Sequence, residues 1–114
     1  MPRVLLVASF GAMGAVARYI VGAATHAADR PFPWTTLAVN VAGCLALGVL
    51  VGALGPGHDD LRAALGTGFL GAFTTFSTFS VEATRLPLPR AAIYVALSVG
   101  LGLAAAATGR ALTA

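Results

Sequence analysis

The sequence predicts an all-α integral membrane protein with four transmembrane helices per chain, forming a single domain over residues 1–114. Two observations carry that class. Hydrophobic residues make up 58% of the chain and charged residues 10%, far from the shares of a soluble globular domain. Four apolar stretches, Val4 to Ala24, Trp34 to Leu54, Ala63 to Arg85 and Ala91 to Leu112, each reach the about 20 residues needed to cross a hydrocarbon core about 30 Å thick. Short connections holding Pro, Gly, Asp, His and Arg separate them. So little sequence lies outside the spans that no soluble catalytic domain fits. The chain is expected to be no enzyme and to have no nucleic-acid partner; its function must come from helices set in the lipid of a cell membrane.

The first span begins after Met-Pro-Arg and carries Ala15-Val16-Ala17, which also fits a secretory signal with an A-x-A cleavage site. The apolar run resumes after Arg18 as YIVGAA, so the segment has membrane length rather than signal length. Gly11 and Ala15 share a face suited to close helix contact. Arg18 lies well inside the span, where a guanidinium either snorkels to the interface or faces water or a partner.

The second span holds Asn40 in the run LAVNVAGC, and its amide needs donors and acceptors that lipid does not offer. Asn40 therefore serves an inter-helix hydrogen bond or a polar pathway. Gly48 and Gly52 form a small-residue face. Cys44 is the single cysteine, so no internal disulfide is possible, and it reads as a small packing residue. Nothing in the chain reads as a cluster of metal-ligating side chains.

The third span contains GTGFLGAFTTFSTFS, where Gly66, Gly68 and Gly71 lower helix propensity just ahead of five hydroxyls and three phenyl rings between Phe73 and Ser80. Ser and Thr also bond their own backbone, so this helix is expected to break, and Gly71 to use the conformational freedom of glycine there. A break is tolerated where it is buried in protein or lines a cavity, and its freed carbonyls suit a cation. Phe73, Phe76 and Phe79 repeat every third residue and drift about 60° per step around a helix. Phe76 and Phe79 can flank a narrow track with Ser77 and Thr78 beside it, ring edges offering weak attraction to an anion without fixed charge. The same stripe also fits packed core or a lipid-facing surface. Glu82, near the end of the span, suits a vestibule or interface.

The fourth span places Tyr94 and Ser98 on one face and carries a ladder of small residues, Ala92, Ala96, Gly100 and Ala104.

The net charge of +3 comes with seven Arg and no Lys. With four spans, Arg3, Arg62 and Arg110 fall on one side, and Arg30, Arg85 and Arg90 on the other. Orientation follows the cytoplasmic excess of positive residues, and an even tally leaves it weakly set. Insertion in both orientations would allow an antiparallel homodimer with its axis in the membrane plane.

Taken together, GAMGAVARY in the first span, NVAG in the second and GFLGAFTTFSTFSVE in the third resemble the Fluc/CrcB family of fluoride ion channels. The resemblance covers essentially the whole chain. It implies a dual-topology antiparallel homodimer with two fluoride pores, a structural sodium ion (Na+) that is not transported, and passive export of cytoplasmic fluoride that relieves its toxicity. By position, Phe76 and Phe79 resemble the paired pore phenylalanines and Asn40 the pore asparagine. Gly71 and Thr74 resemble the residues whose backbone carbonyls hold the sodium. Tyr94 and Ser98 match the polar track of the fourth helix, in which Gly102 falls where a further hydroxyl can stand. Arg18 would raise the anion concentration at the pore mouth through its field. Small multidrug transporters share the length and the antiparallel dimer but need an acidic residue in the first helix, and this first span has none.

Overall fold

The computed structural model describes residues 2–26 and 31–113, all helical or connecting, with no strand among them. Arg30 of the charge tally lies outside the described residues. The elements run α1 (Arg3–Ala24), α2 (Trp34–Ala53), α3 (Asp59–Arg62), a π-helical stretch, π1 (Ala63–Leu70), α4 (Gly71–Phe73), α5 (Phe76–Arg85) and α6 (Leu88–Thr113).

Three of these, α1, α2 and α6, are long and apolar enough to cross a membrane. At 22, 20 and 26 residues they are about 33, 30 and 39 Å long. Their limits match the expected spans within a few residues, the largest difference being α6, which starts at Leu88 because Pro89 fits the first turn of a helix. The segment from Asp59 to Arg85 runs instead as consecutive helical pieces interrupted at Thr74 and Thr75, both extended, with ψ of 160° and 121°.

The ends follow from local chemistry. Pro2 precedes α1, and its carbonyl accepts from the N–H groups of Leu5 and Leu6. Pro33 stands just before α2. Beyond α2, Gly57 adopts φ of 93°, a left-handed turn suited to glycine. Arg62 then reaches back, donating from Nη2 to the carbonyls of Leu54 and Gly55 at 3.1 and 2.9 Å, so it satisfies two carbonyls at the C-terminal end of α2. Asp59 holds the same guanidinium at 3.1 Å, and Asp60 pairs with Arg3 at 3.1 Å.

Close packing relies on glycine, as expected where apolar burial gives no drive between helices. α2 lies along α6: a Cβ at Gly48 would strike the backbone of Ala106, and one at Gly109 would strike the Leu45 carbonyl. Gly52 likewise faces Thr113 and the Arg110 carbonyl. On α6 the contact face is therefore Gly102, Ala106 and Gly109, and the predicted ladder is not used within the chain. A Cβ at Gly100 would meet no other part of the described chain within 4 Å, and Ala92, Ala96 and Ala104 are exposed. One residue turns a helix by about 100°, so the spacing rule found a small-residue face but not the one that packs. On α1 the tightest contact is at Gly14, buried against the backbone of Phe69, while Gly11 approaches the Gly68 carbonyl and Ala15 is exposed.

Among the described residues the buried hydrophobic side chains are Leu37, Val39, Ala64 and Tyr94, whereas large apolar side chains along α1 and α6 face outward. Such an outward apolar surface is suited to lipid or to a second copy of the chain.

Candidate functional site

The site forms where the third segment leaves helical geometry. At Thr75 the backbone turns to φ of −150°, and Asn40 of α2 meets it from both sides. Asn40 Oδ1 accepts the Thr75 N–H at 3.0 Å, and Asn40 Nδ2 donates to the Thr75 carbonyl at 3.3 Å. The amide thus satisfies both polar groups of one extended residue.

Thr75 in turn starts α5, its Oγ1 accepting the N–H of Thr78 at 3.2 Å as an N-cap. Its hydroxyl also donates to Thr78 Oγ1 at 3.2 Å and lies 3.2 Å from Ser77 Oγ. Arg18 Nη2 donates to Thr78 Oγ1 at 3.3 Å. A polar chain therefore runs Arg18–Thr78–Thr75–Asn40 across α1, α5 and α2.

These bonds redirect two donors. In an unbroken helix the Gly71 carbonyl would accept from Thr75 N–H and the Thr74 carbonyl from Thr78 N–H. Here Thr75 N–H serves Asn40 and Thr78 N–H serves Thr75 Oγ1. The two carbonyls named in the sequence have thus lost their helical partners to other acceptors, a donor set of hard oxygens that fits sodium. Gly71 itself has φ of −60° and ψ of −36°, ordinary helical geometry, so its glycine character is not needed for the break. The turn falls at Thr74 and Thr75, whose backbone any L-residue can adopt.

An open cleft of about 380 Å³ lies against this break. Of the residues singled out in the sequence, Asn40, Gly71, Thr74, Phe76, Phe79 and Ser98 line it. No charged side chain does so among the described residues. Phe76 is 79% exposed and Phe79 partly buried, their ring centroids 5.9 Å apart at 43°. Phe73 does not join this series. The break separates it from α5, and it stacks on Phe69 across 6.0 Å instead.

Tyr94 and Ser98 share a face of α6 but serve different neighbours. Tyr94 is fully buried, its ring against Phe79 at 5.1 Å and edge-on to Phe32 at 5.6 Å, and its hydroxyl donates to Glu82 Oε1 at 3.4 Å. Ser98 turns its Oγ into a position shielded from solvent, with no hydrogen-bond partner among the described residues. Ser77 and Thr78 connect to the cleft through Thr75, and Arg18 stands behind Thr78.

Thr75 and Gly43 were missed in the sequence. Thr75 could have been found as a Thr beginning TFST, an N-cap pattern ahead of the resumed helix. Gly43 lies against the methyl of Thr74, leaving no room for a side chain of its own. Its signal was the glycine three residues after a polar residue in an otherwise apolar span.

Comparison with known proteins gives a consistent picture. The family model described as "CrcB-like protein, Camphor Resistance (CrcB)" matches residues 5–110. A protein of Rhizobium johnstonii named "Fluoride-specific ion channel FluC" is 46% identical over 98% of this chain and 96% of its own. One of Rhodococcus jostii named "Fluoride-specific ion channel FluC 2" is 50% identical over 96% of this chain and 97% of its own. One of Symbiobacterium thermophilum, "Fluoride-specific ion channel FluC 1", is 50% identical over 95% of this chain and 94% of its own.

Proposed function

The chain belongs to the CrcB family, and on that premise we propose that it is a fluoride-specific channel through which cytoplasmic fluoride leaves passively, assembled as an antiparallel homodimer around a structural sodium ion. It is a multi-pass protein of the bacterial plasma membrane and not an enzyme, its relatives being named as ion channels. The multidrug-transporter reading is set aside with the family placement.

The observation that carries the proposal is the lining of the cleft: uncharged donors from Asn40 and Ser98 meet the rings of Phe76 and Phe79 beside an interrupted helix. Fluoride is small and strongly hydrated, so a path for it must replace water with several polar contacts and still let go. Neutral amide and hydroxyl donors with the positive edges of phenyl rings do this without a fixed cation that would trap the ion. Arg18, set back behind Thr78, concentrates anions at the mouth without coordinating them. Ser77 and Thr78 stand outside the lining and are tied to it through the Thr75 hydroxyl, and Tyr94 with Glu82 braces Phe79 from behind.

The carbonyls of Gly71 and Thr74 would hold the sodium with their counterparts from a second chain. When bound, the ion supplies positive charge to carbonyls whose helical donors are committed elsewhere. The outward apolar faces of α1 and α6 supply the surface for lipid and for the second chain. The deciding experiment is fluoride efflux from liposomes holding the purified protein, read with a fluoride electrode beside a chloride control. Efflux of fluoride well above chloride is expected; no fluoride efflux above empty liposomes would sink the proposal.

A further inference from the structure

We propose that the Cys44 thiol is itself a donor on the anion path, standing across from Gly102, where α6 carries no hydroxyl. The inference rests on the channel reading of the cleft. Asn40 and Cys44 are four residues apart and share a face of α2, and both line the cleft. Ser98 and Gly102 are four apart on the facing side of α6. Gly102 is buried, and a Cβ added there would stand 3.3 Å from Cys44 Sγ. The sulfur therefore borders closely on the space a side chain at position 102 would enter.

The second observation is Ser98. A serine inside a helix ordinarily returns its hydroxyl to the carbonyl one turn back. This one is shielded from solvent, lines the same cleft as Cys44, and has no hydrogen-bond partner among the described residues. A shielded donor left open in a cleft without charged residues is complementary to a small anion. Cys44 then continues the series one helical turn beyond Asn40. Its S–H is a weak, uncharged donor, able to hand an ion on without holding it. Past it the lining becomes apolar at Leu47, so the thiol is the last α2 donor of the series.

The chain has one cysteine, so a thiol reagent acts on this position alone. Wild-type protein in liposomes is treated with a small cationic methanethiosulfonate. The Cys44 thiolate attacks the reagent's sulfenyl sulfur, forming a mixed disulfide and releasing methanesulfinate. Fluoride efflux is expected to fall at least about tenfold, since an added group fills a path sized for a bare ion, and to return on reduction with dithiothreitol. Cys44→Ser should be insensitive to the reagent. Cys44→Ala should slow efflux about fivefold, the scale of one lost neutral hydrogen bond, and adding Gly102→Ser to it should restore much of that loss by moving the donor across the cleft. A dimer that stays intact and whose mass shows full modification without slower efflux, a thiol that does not react in the folded dimer, or full flux in Cys44→Ala would each overturn the assignment. Wild-type protein that passes no fluoride would overturn the channel reading itself, and this inference with it.

Discussion

Asn40 holds Thr75 by both its backbone groups, accepting the N–H at 3.0 Å and donating to the carbonyl at 3.3 Å, 35 residues away in sequence. One side chain thereby replaces two bonds that a continuous helix would have made. Asn40→Ala leaves both groups unpaired, at about 1–3 kcal/mol each, and should lower the thermal midpoint in detergent and abolish efflux. Asn40→Asp keeps the acceptor, loses the donor and adds negative charge to an anion path. It should reduce efflux more than it reduces stability. Wild-type efflux and melting in Asn40→Ala would show that the clamp is dispensable.

Phe76 and Phe79 differ in exposure, so their replacement separates lining from packing. Phe76→Ile and Phe79→Ile roughly keep volume and apolarity, and each should cut fluoride flux by on the order of tenfold while size-exclusion chromatography still shows a dimer. Unchanged flux in both variants and in the double variant would assign the rings to packing.

Sodium withdrawal tests the carbonyl site. Exchange for a large organic cation on both membrane faces, after long equilibration, should slow efflux or loosen the dimer. Thr74→Ser should behave as wild type in this titration, because the proposed ligand is a backbone atom. Full activity and dimer stability after verified removal of sodium would rule out a structural ion.

Orientation can be read from the turn before α3. His58 is exposed, and its side chain takes no part in the ion pairs of Asp59 and Asp60. In a Cys44→Ser background, His58→Cys should react with an impermeant maleimide from both sides of intact vesicles, as two-way insertion requires. Labelling from one side alone would mean a fixed orientation.

The glycine contacts predict unequal responses to the same substitution. Gly48→Ala drives a methyl into the backbone of Ala106 and should lower the thermal midpoint by on the order of 5 °C. Gly100→Ala meets nothing nearby and should not lower it, since alanine is the better helix former. Equal effects in thermal denaturation would contradict the α2–α6 packing.

The helical stretches and the convergence of Asn40, Phe76, Phe79 and Ser98 were legible because span length and isolated polar groups in apolar surroundings are local signals. The partner of Asn40 was not. Thr74 and Thr75 are identical in type and adjacent in sequence, and only the course of the backbone shows which of them offers its N–H and C=O to Asn40. The α6 packing face was illegible for a related reason: several small-residue faces coexist, and the neighbouring helix selects among them. Phe73 was grouped with Phe76 and Phe79 because a period of three assumes one continuous helix, which the turn at Thr74 and Thr75 interrupts.

The π-helical stretch from Ala63 to Leu70 bears on how this chain tolerates insertion and deletion. Its turns close one residue later than α-turns, as in the bond from the Gly71 N–H to the Gly66 carbonyl. Removing a single residue there would let the stretch wind as α-helix with the parts before and after it near their present phase, because a π-turn holds about one residue more than an α-turn. Arg62 would stay beside the end of α2, and Asp60 beside Arg3. The stretch between Arg62 and Gly71 therefore absorbs the loss of one residue better than α1, α2 or α6 would, where a deletion turns everything before it by about 100°.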